Sequence, residues 1–474
     1  MRVAVIGGGV GGLTAATRLA MLGHKVQIFE ARDDVGGLAS GFQREGVWFD
    51  GGPYILLDRP GLEWALERIG LDVGPLNLKA CEDLYEVTRP SSGASRHLLP
   101  REKAATNSEP SPAGRGWREA PDEGRSIHIF LDLQRTVSGL GDAGAEYEKF
   151  VNKMDAVRVK LAPLLRISHP SLFELAKRGS LSVAPFLLRS LGSVLRELPA
   201  EVKDAVAIWT HVAGQDVSSA PSVMAFIPAL IHRVGAFVPS GGMRAIPKLL
   251  AENARRAGVE IQCGRAIRRV ATRNGRAVGV DDEPFDAVIS NYHGVGTYDE
   301  LVDVPQRIRE KLRALPLQSP GVCAYLTATN NADGPYLRFR LDDHQLQLRV
   351  SAGKTIRLIM PLRRGTSEQE QTAELQRMID AGWWREGLQD VKVVHTRTVG
   401  GWGREMHLYR DSMNPVMTRR LMLSGRIAHR SPWVKGLYLA GASTHPGQWV
   451  SFCAISGILA ADLLHSDHAA HAIR

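Results

Sequence analysis

Met1-Arg2-Val3-Ala4-Val5-Ile6-Gly7-Gly8-Gly9-Val10-Gly11-Gly12 opens the chain, and Leu13-Thr14-Ala15-Ala16-Thr17-Arg18-Leu19-Ala20 follows it. The first residues are apolar and β-branched and read as a strand; the run rich in Ala and Leu reads as a helix. Between them, Gly7, Gly9 and Gly12 form G-x-G-x-x-G. Lys25-Val26-Gln27-Ile28-Phe29-Glu30 then reads as a second strand ending in an acid. Strand, turn, helix and strand are the context that makes this glycine pattern a dinucleotide-binding signal. Gly7 permits the tight turn, Gly9 lets the backbone approach a diphosphate, and Gly12 lets the helix pack close on the strand. The helix start offers free N–H groups and a positive dipole end to phosphate. Glu30 stands near the spacing expected of the acid that holds a ribose hydroxyl, and an acid there argues against a 2′-phosphate. The fold class that follows is α/β.

Four further motifs stand along the chain. Gly36-Gly37 follows Glu30 after five residues, and Trp48-Phe49-Asp50-Gly51-Gly52-Pro53-Tyr54 follows soon after. Pro239-Ser240-Gly241-Gly242-Met243 precedes a helical stretch from Ala245 to Gly258 and a strand, Val259 to Cys263. Near the end, Leu437-Tyr438-Leu439-Ala440-Gly441-Ala442-Ser443-Thr444-His445-Pro446-Gly447 precedes a helix beginning about Val450. Together these resemble the phytoene and carotenoid desaturase-like branch of the flavin amine oxidase superfamily. The resemblance covers roughly the first 60 residues, the block from Val238 to Asn291, and the last 40.

The resemblance implies FAD as cofactor. It implies a discontinuous Rossmann-type FAD-binding domain beside an α+β substrate domain with an antiparallel sheet and a helical region. Carried residue by residue, the cofactor contacts are Gly7, Gly9, Gly12, Glu30, Ala31, Gly36, Gly37, Leu38, Gly52, Pro53, Tyr54, Gly441, Ala442, Ser443, Trp449 and Val450, with the backbone near Ile267 reaching the adenine. His445 and Tyr54 are the ionisable candidates for a catalytic role. The implied activity is desaturation of a hydrophobic isoprenoid or polyene by hydride transfer to the flavin. An amine oxidase, with an aromatic cage from Trp449, Phe452 and Tyr54, is an alternative, as is a polyene saturase or isomerase. A prenyl-binding escort protein without redox chemistry is a third, which an intact FAD motif argues against. Trp449 and Phe452 are bulky where that branch is small, so the cavity beside the flavin departs from its pattern.

The chain has 474 residues, 44% apolar and 23% charged, ordinary values for a globular protein of two or three domains. The FAD domain is expected to comprise 1–88, 238–300 and 415–474, and the substrate domain 89–237 and 301–414. The stretch 89–125, rich in Ser, Pro and Gly, reads as a mobile loop. From Gly144 to Leu198 the pattern is helical, and between Pro305 and Leu408 it is mainly of period two, strands with one dry face. Cys81, Cys263, Cys323 and Cys453 are far apart, with no metal-ligand spacing and no disulfide framework, which fits a reducing cytoplasm. Neither a signal peptide nor an apolar stretch of membrane-spanning length stands out. The net charge is +9, but the basic residues are scattered without a nucleic-acid motif. Lys177, Arg178, Arg189 and Arg196 among large apolar residues suit peripheral contact with an anionic membrane. Oligomeric state is left open.

Overall fold

The computed structural model describes residues 1–90, 126–342 and 345–472. All but the first two residues of the expected mobile loop lie outside these. A five-stranded parallel sheet carries the N-terminal motif. Its strand order is Leu437–Leu439, Ala287–Ser290, Arg2–Ile6, Lys25–Phe29 and Glu260–Gln262. Three separate stretches of sequence therefore build one sheet. The strands Leu437–Leu439 and Ala287–Ser290, and Val3 to Ile6 of Arg2–Ile6, are buried on both faces because both are covered. Val3, Val5, Ile28 and Ile289 pack under the helices Val10–Met21, Ala245–Arg256 and Val450–Ala472. Ala4, Ile6, Val288, Leu437 and Leu439 pack on the opposite side, with Val270, Ala277 and Val280 of a small antiparallel sheet.

The C-terminal helix lies directly on the first helix. A Cβ at Gly457 would stand 2.3 Å from the Gly11 carbonyl oxygen, so only glycine permits this approach. Within Val450–Ala470 the helix is long and apolar enough to cross a membrane by composition, but 61% of that window is buried inside the fold.

The second sheet has seven strands, ordered Lys392–Arg397, Val322–Thr327, Thr355–Met360, Leu346–Ala352, Leu337–Leu341, Asp83–Thr88 and Ser126–Phe130. It corrects three expectations. The sheet is mixed rather than antiparallel, because Leu337–Leu341 runs parallel to Asp83–Thr88. That second strand was assigned with 1–88 to the cofactor domain, yet it pairs only here. The central strands are also dry on both faces. Tyr325, Leu348 and Ile359 join a core with the helices Gly144–Leu161, Ala200–Val212 and Ile227–Arg233, while Val322, Leu326, Ile356 and Leu358 pack against Leu375, Met378 and Trp384. The helix supplying Leu375 and Met378, Glu368–Asp380, interrupts the stretch read as strands. It starts with a capping box from Ser367 and Glu370, a signal present in the sequence.

Candidate functional site

The site begins at the turn between the first strand and first helix. Gly9 stands before that helix with no side chain capping it, and no acid occupies the first turn. Its first N–H groups are thus left for an external acceptor. Gly12 is required for a different reason: a Cβ there would lie 2.1 Å from the Gly7 carbonyl oxygen. Glu30 closes the turn from the second strand. Its two carboxylate oxygens accept the N–H of Gly8 at 2.7 Å and of Arg32 at 3.0 Å.

The distant motifs converge here. Asn291 follows the strand Ala287–Ser290, which lies between Arg2–Ile6 and Leu437–Leu439, and sits between the glycine turn and the C-terminal segment. A Cβ on Gly11 or Gly441 would fall 2.6 Å or 2.5 Å from the Asn291 Oδ1, and Gly441 has φ +90°, so this crossing tolerates no side chain. Ser443 accepts the Gly294 N–H at 2.9 Å. Asp50 and the Gly242-Met243 pair also meet: the Met243 N–H donates to Asp50 Oδ2 at 2.9 Å. Burial pushes the Asp50 carboxyl up, against the pull of these backbone bonds and of Arg357 and Arg244.

One cavity of about 850 Å³ joins these segments. Of the cofactor residues expected from sequence, Gly7, Gly9, Glu30, Ala31, Gly36, Gly37, Leu38, Gly52, Pro53, Tyr54, Ile267, Gly441, Ala442, Ser443, Trp449 and Val450 line it. Gly12 does not; it packs inside the turn. The wall also includes apolar residues, with Trp209, Val212, Met224 and Ile227 from the helical layer and Ile359 from the sheet.

The two catalytic candidates fare differently. Tyr54 lines the cavity, and burial raises its phenol, so it keeps its proton. His445 is a correction: it is not in the cavity wall. Its Nε2 lies 2.8 Å from the Leu164 carbonyl, to which it donates, and burial pulls its pKa down to about 3. A neutral imidazole committed to a backbone carbonyl ties the C-terminal segment to the helical layer and is not poised for proton transfer. Trp449 and Phe452 also fail to form opposed walls of a cage, since they stack on one another at 4.9 Å. The Cys453 thiol does border the cavity, with its pKa pushed up to about 12 by burial.

Several wall residues were not singled out from sequence. Arg357 is one, and its signal was visible as the single basic residue of the strand Thr355–Met360. It donates to the Gly52 carbonyl at 2.6 Å and stands 5.6 Å from the Tyr325 ring centroid. Asn291 could have been found from sheet order, because ligands of such sheets bind beyond the carboxyl ends of the strands. The segment Trp402 to Asn414 also contributes, and no motif marks it.

The residues fit a dinucleotide with a diphosphate. The uncapped helix start suits the phosphates, Glu30 suits a ribose, and the glycine cradle would be filled by any Cβ. A single cavity between a parallel sheet and a mixed sheet brings these dinucleotide features together with an apolar wall.

Comparison with known proteins is more specific. The profile of the family described as flavin containing amine oxidoreductase matches residues 10–335, and the chain belongs to that family. The zeta-carotene-forming phytoene desaturase of Myxococcus xanthus is 28% identical, over 69% of this chain and 60% of its own. The chain thus spans about three fifths of that relative. The hydroxyneurosporene desaturase of Rubrivivax gelatinosus is 24% identical over 98% of this chain and 93% of its own, and the 4,4'-diapolycopene oxygenase of a Methylomonas species 23% identical over 98% of both. Among solved structures, an oxidoreductase from Methanosarcina mazei superposes with a TM-score of 0.61 at 18% identity, covering 97% of this chain and 99% of its own. Putrescine oxidase bound to putrescine gives 0.59 at 16% identity, covering 99% of each. These two likenesses concern the fold.

Proposed function

We propose that the protein desaturates a hydrophobic isoprenoid or polyene, with the five-stranded parallel sheet as a Rossmann-type FAD-binding domain. The observation that carries this reading is the continuity of the cavity, from the glycine turn and Glu30 to the apolar wall of Trp209, Val212, Met224 and Ile227. The carotenoid desaturases among its relatives support the substrate class. Bound FAD supplies the two-electron acceptor for a hydride. The chain supplies position. Gly7, Gly9 and the helix start would hold the diphosphate, Glu30 a ribose, and Ile267 the adenine end. Gly52 to Tyr54 and Ala442 to Val450 would flank the flavin ring. The apolar wall would align an extended chain and keep water from it, which lets orientation rather than a strong base govern the step.

The helical layer also carries an exposed apolar surface suited to a membrane that would hold such a substrate. Leu172, Phe173, Leu181 and Leu188 are exposed, Phe173 at 74%, on short consecutive helices that also carry Lys177 and Arg178. Large apolar side chains beside cations suit the interface of an anionic membrane, and this patch is the protein's contact with it.

Two experiments test the reading. Anaerobic mixing of the FAD-loaded protein with polyenes, prenyl lipids and amines should bleach the flavin with a polyene; bleaching by amines alone would overturn the substrate class. Co-sedimentation with anionic liposomes should weaken as salt rises and drop several-fold in Phe173→Glu; equal binding by that variant would show that the patch is not the membrane contact.

A further inference from the structure

Two guanidinium groups reach the cavity's cofactor loops from behind. Arg357, on the strand Thr355–Met360, borders the cavity and donates to the Gly52 carbonyl at 2.6 Å. Arg426 follows the short helix Arg419–Ser424 and donates to the Ala442 carbonyl at 2.8 Å. Gly52 and Ala442 both line the cavity, on the two segments that flank the flavin ring in the reading above. Among the described residues, every ion pair within 4 Å that involves an arginine leaves out these two. The neighbours of Arg357 are a carbonyl, the Cys323 sulfur at 3.8 Å and the Tyr325 ring, with the buried Asp50 carboxyl within its field but outside ion-pair distance. Those of Arg426 are the carbonyls of Ala442 and, at 3.4 Å, Thr444. The Nε of each is buried without a hydrogen-bond partner. Burial lowers Arg426 to about 10, which leaves it charged at neutral pH, and a guanidinium such as Arg357 does not deprotonate in a protein.

A guanidinium buried without an ion pair is costly. It is stabilised when an opposite charge arrives in the same low-dielectric region. Desaturation delivers one. A hydride leaves one carbon with two electrons, and a proton leaves the neighbouring carbon for solvent. An FAD held there would, on accepting the hydride, gain one negative charge.

We propose that Arg357 and Arg426 are positioning charges that favour this reduced, negative flavin over the neutral oxidised one and so raise its reduction potential. The inference rests on the FAD reading above. It requires the charge of each side chain, whereas a purely structural clamp on the two carbonyls requires only a donor. Arg→Gln keeps a donor and removes the charge; Arg→Lys keeps both.

The test is made on FAD-loaded protein by dye-equilibrated potentiometry and by titration with sulfite, an anion that adds to oxidised flavin and reports the local field. In the wild type between pH 5.5 and 6.5, the potential should fall with one proton per two electrons, about 30 mV per pH unit. Two protons per two electrons, twice that slope, would overturn the proposal without any variant. Arg426→Gln and Arg357→Gln should each weaken sulfite binding at least tenfold and lower the potential by about 30 mV, the tenfold equivalent. Arg426→Lys and Arg357→Lys should stay within threefold of wild type. Wild-type values in the Gln variants, or an equal fall in the Lys variants, would overturn it. A wild-type chain that takes up no FAD under reconstitution would instead overturn the cofactor reading on which it stands.

Discussion

The two ends of the cavity are built on different principles. At the cofactor end the backbone does the recognising, so position after position forbids a side chain: Gly12 against the Gly7 carbonyl, Gly11 and Gly441 against Asn291, Gly52 with its Cβ position 2.1 Å from the Leu38 carbonyl oxygen. At the substrate end the wall is made of side chains, Trp209, Val212, Met224 and Ile227 among them, and apolar residues of similar volume can replace each other at modest cost. The first surface is specified atom by atom; the second is specified by shape and dryness. Substitutions should separate the two cleanly, with loss of cofactor at one end and altered substrate at the other.

The largest effect is expected at Gly12. Gly12→Val would drive a methyl-bearing carbon into the Gly7 carbonyl oxygen, a backbone atom that cannot swing aside as a side chain can. The turn must open or the helix must shift, and either removes the phosphate cradle. FAD should be absent from the purified variant, and its thermal midpoint should fall by the several degrees that a loss of 2 kcal/mol or more entails. A yellow, wild-type-stable Gly12→Val protein would mean that the cofactor end is not backbone-specified.

Glu30 comes next, because its role is a side chain's. Both its oxygens are engaged by the Gly8 and Arg32 N–H groups, so it shapes the turn as well as facing the expected ribose. Glu30→Arg should weaken FAD binding by at least about a hundredfold, since a charge-assisted contact is lost and a buried cation replaces it. Glu30→Gln should retain more of it. Fluorescence titration of the apoprotein with FAD measures both, and unchanged affinity in Glu30→Arg would show that the acid is not a cofactor ligand.

The difference between the two ends also explains what could be read from sequence. Backbone recognition writes itself in glycines at fixed spacing, so the glycine turn, the Gly36-Gly37 and Gly52-Pro53 segments and the Gly441 segment are legible and meet in one cavity, whereas Pro239 to Met243 lies outside its wall. A wall of side chains writes only periodicity. The helix from Ala200 to Val212 presents Trp209 and Val212 to the cavity, yet its apolar pattern is that of any packed helix. Arg357 was legible as an odd charge in an apolar strand but not as a cavity residue, because strand order, which places it behind Gly52, joins segments some 300 residues apart. His445 shows the converse error. Its motif marked it for chemistry, but only the fold reveals the Leu164 carbonyl that occupies it. The strand Asp83–Thr88 was placed in the cofactor domain for a similar reason: its partner, Leu337–Leu341, is distant in sequence.

At the substrate end, Met224→Ala and Trp209→Ala should leave FAD content and flavin spectrum intact. They should raise KM for a polyene by about tenfold, the worth of roughly 1–2 kcal/mol of apolar contact, with kcat changed less. Loss of flavin in either variant would show that the two ends are not separable.

The smallest effect is expected at His445, and it concerns acid stability. Burial holds His445 near 3 in the folded protein against an ordinary value of 6.5, so between those values the unfolded chain binds the extra proton. Stability therefore falls as pH drops below about 6.5 and is fully recovered above it. His429, lowered to about 4 by burial, adds to the same slope. Replacing His445 by Gln keeps a donor for the Leu164 carbonyl while removing the titration. The variant should lose about 1 kcal/mol or less at pH 7.5. Its stability should decline more slowly toward pH 5, by up to about 1.4 kcal/mol per pH unit, the weight of one proton. Denaturant melts at pH 5.5 and 7.5 measure this. Because the imidazole is neutral and turned to a backbone carbonyl, the pH dependence of flavin reduction should not move. If instead the kinetic profile changes while the stability slope does not, His445 acts on the reaction and the C-terminal segment belongs to the chemistry as well as to the wall.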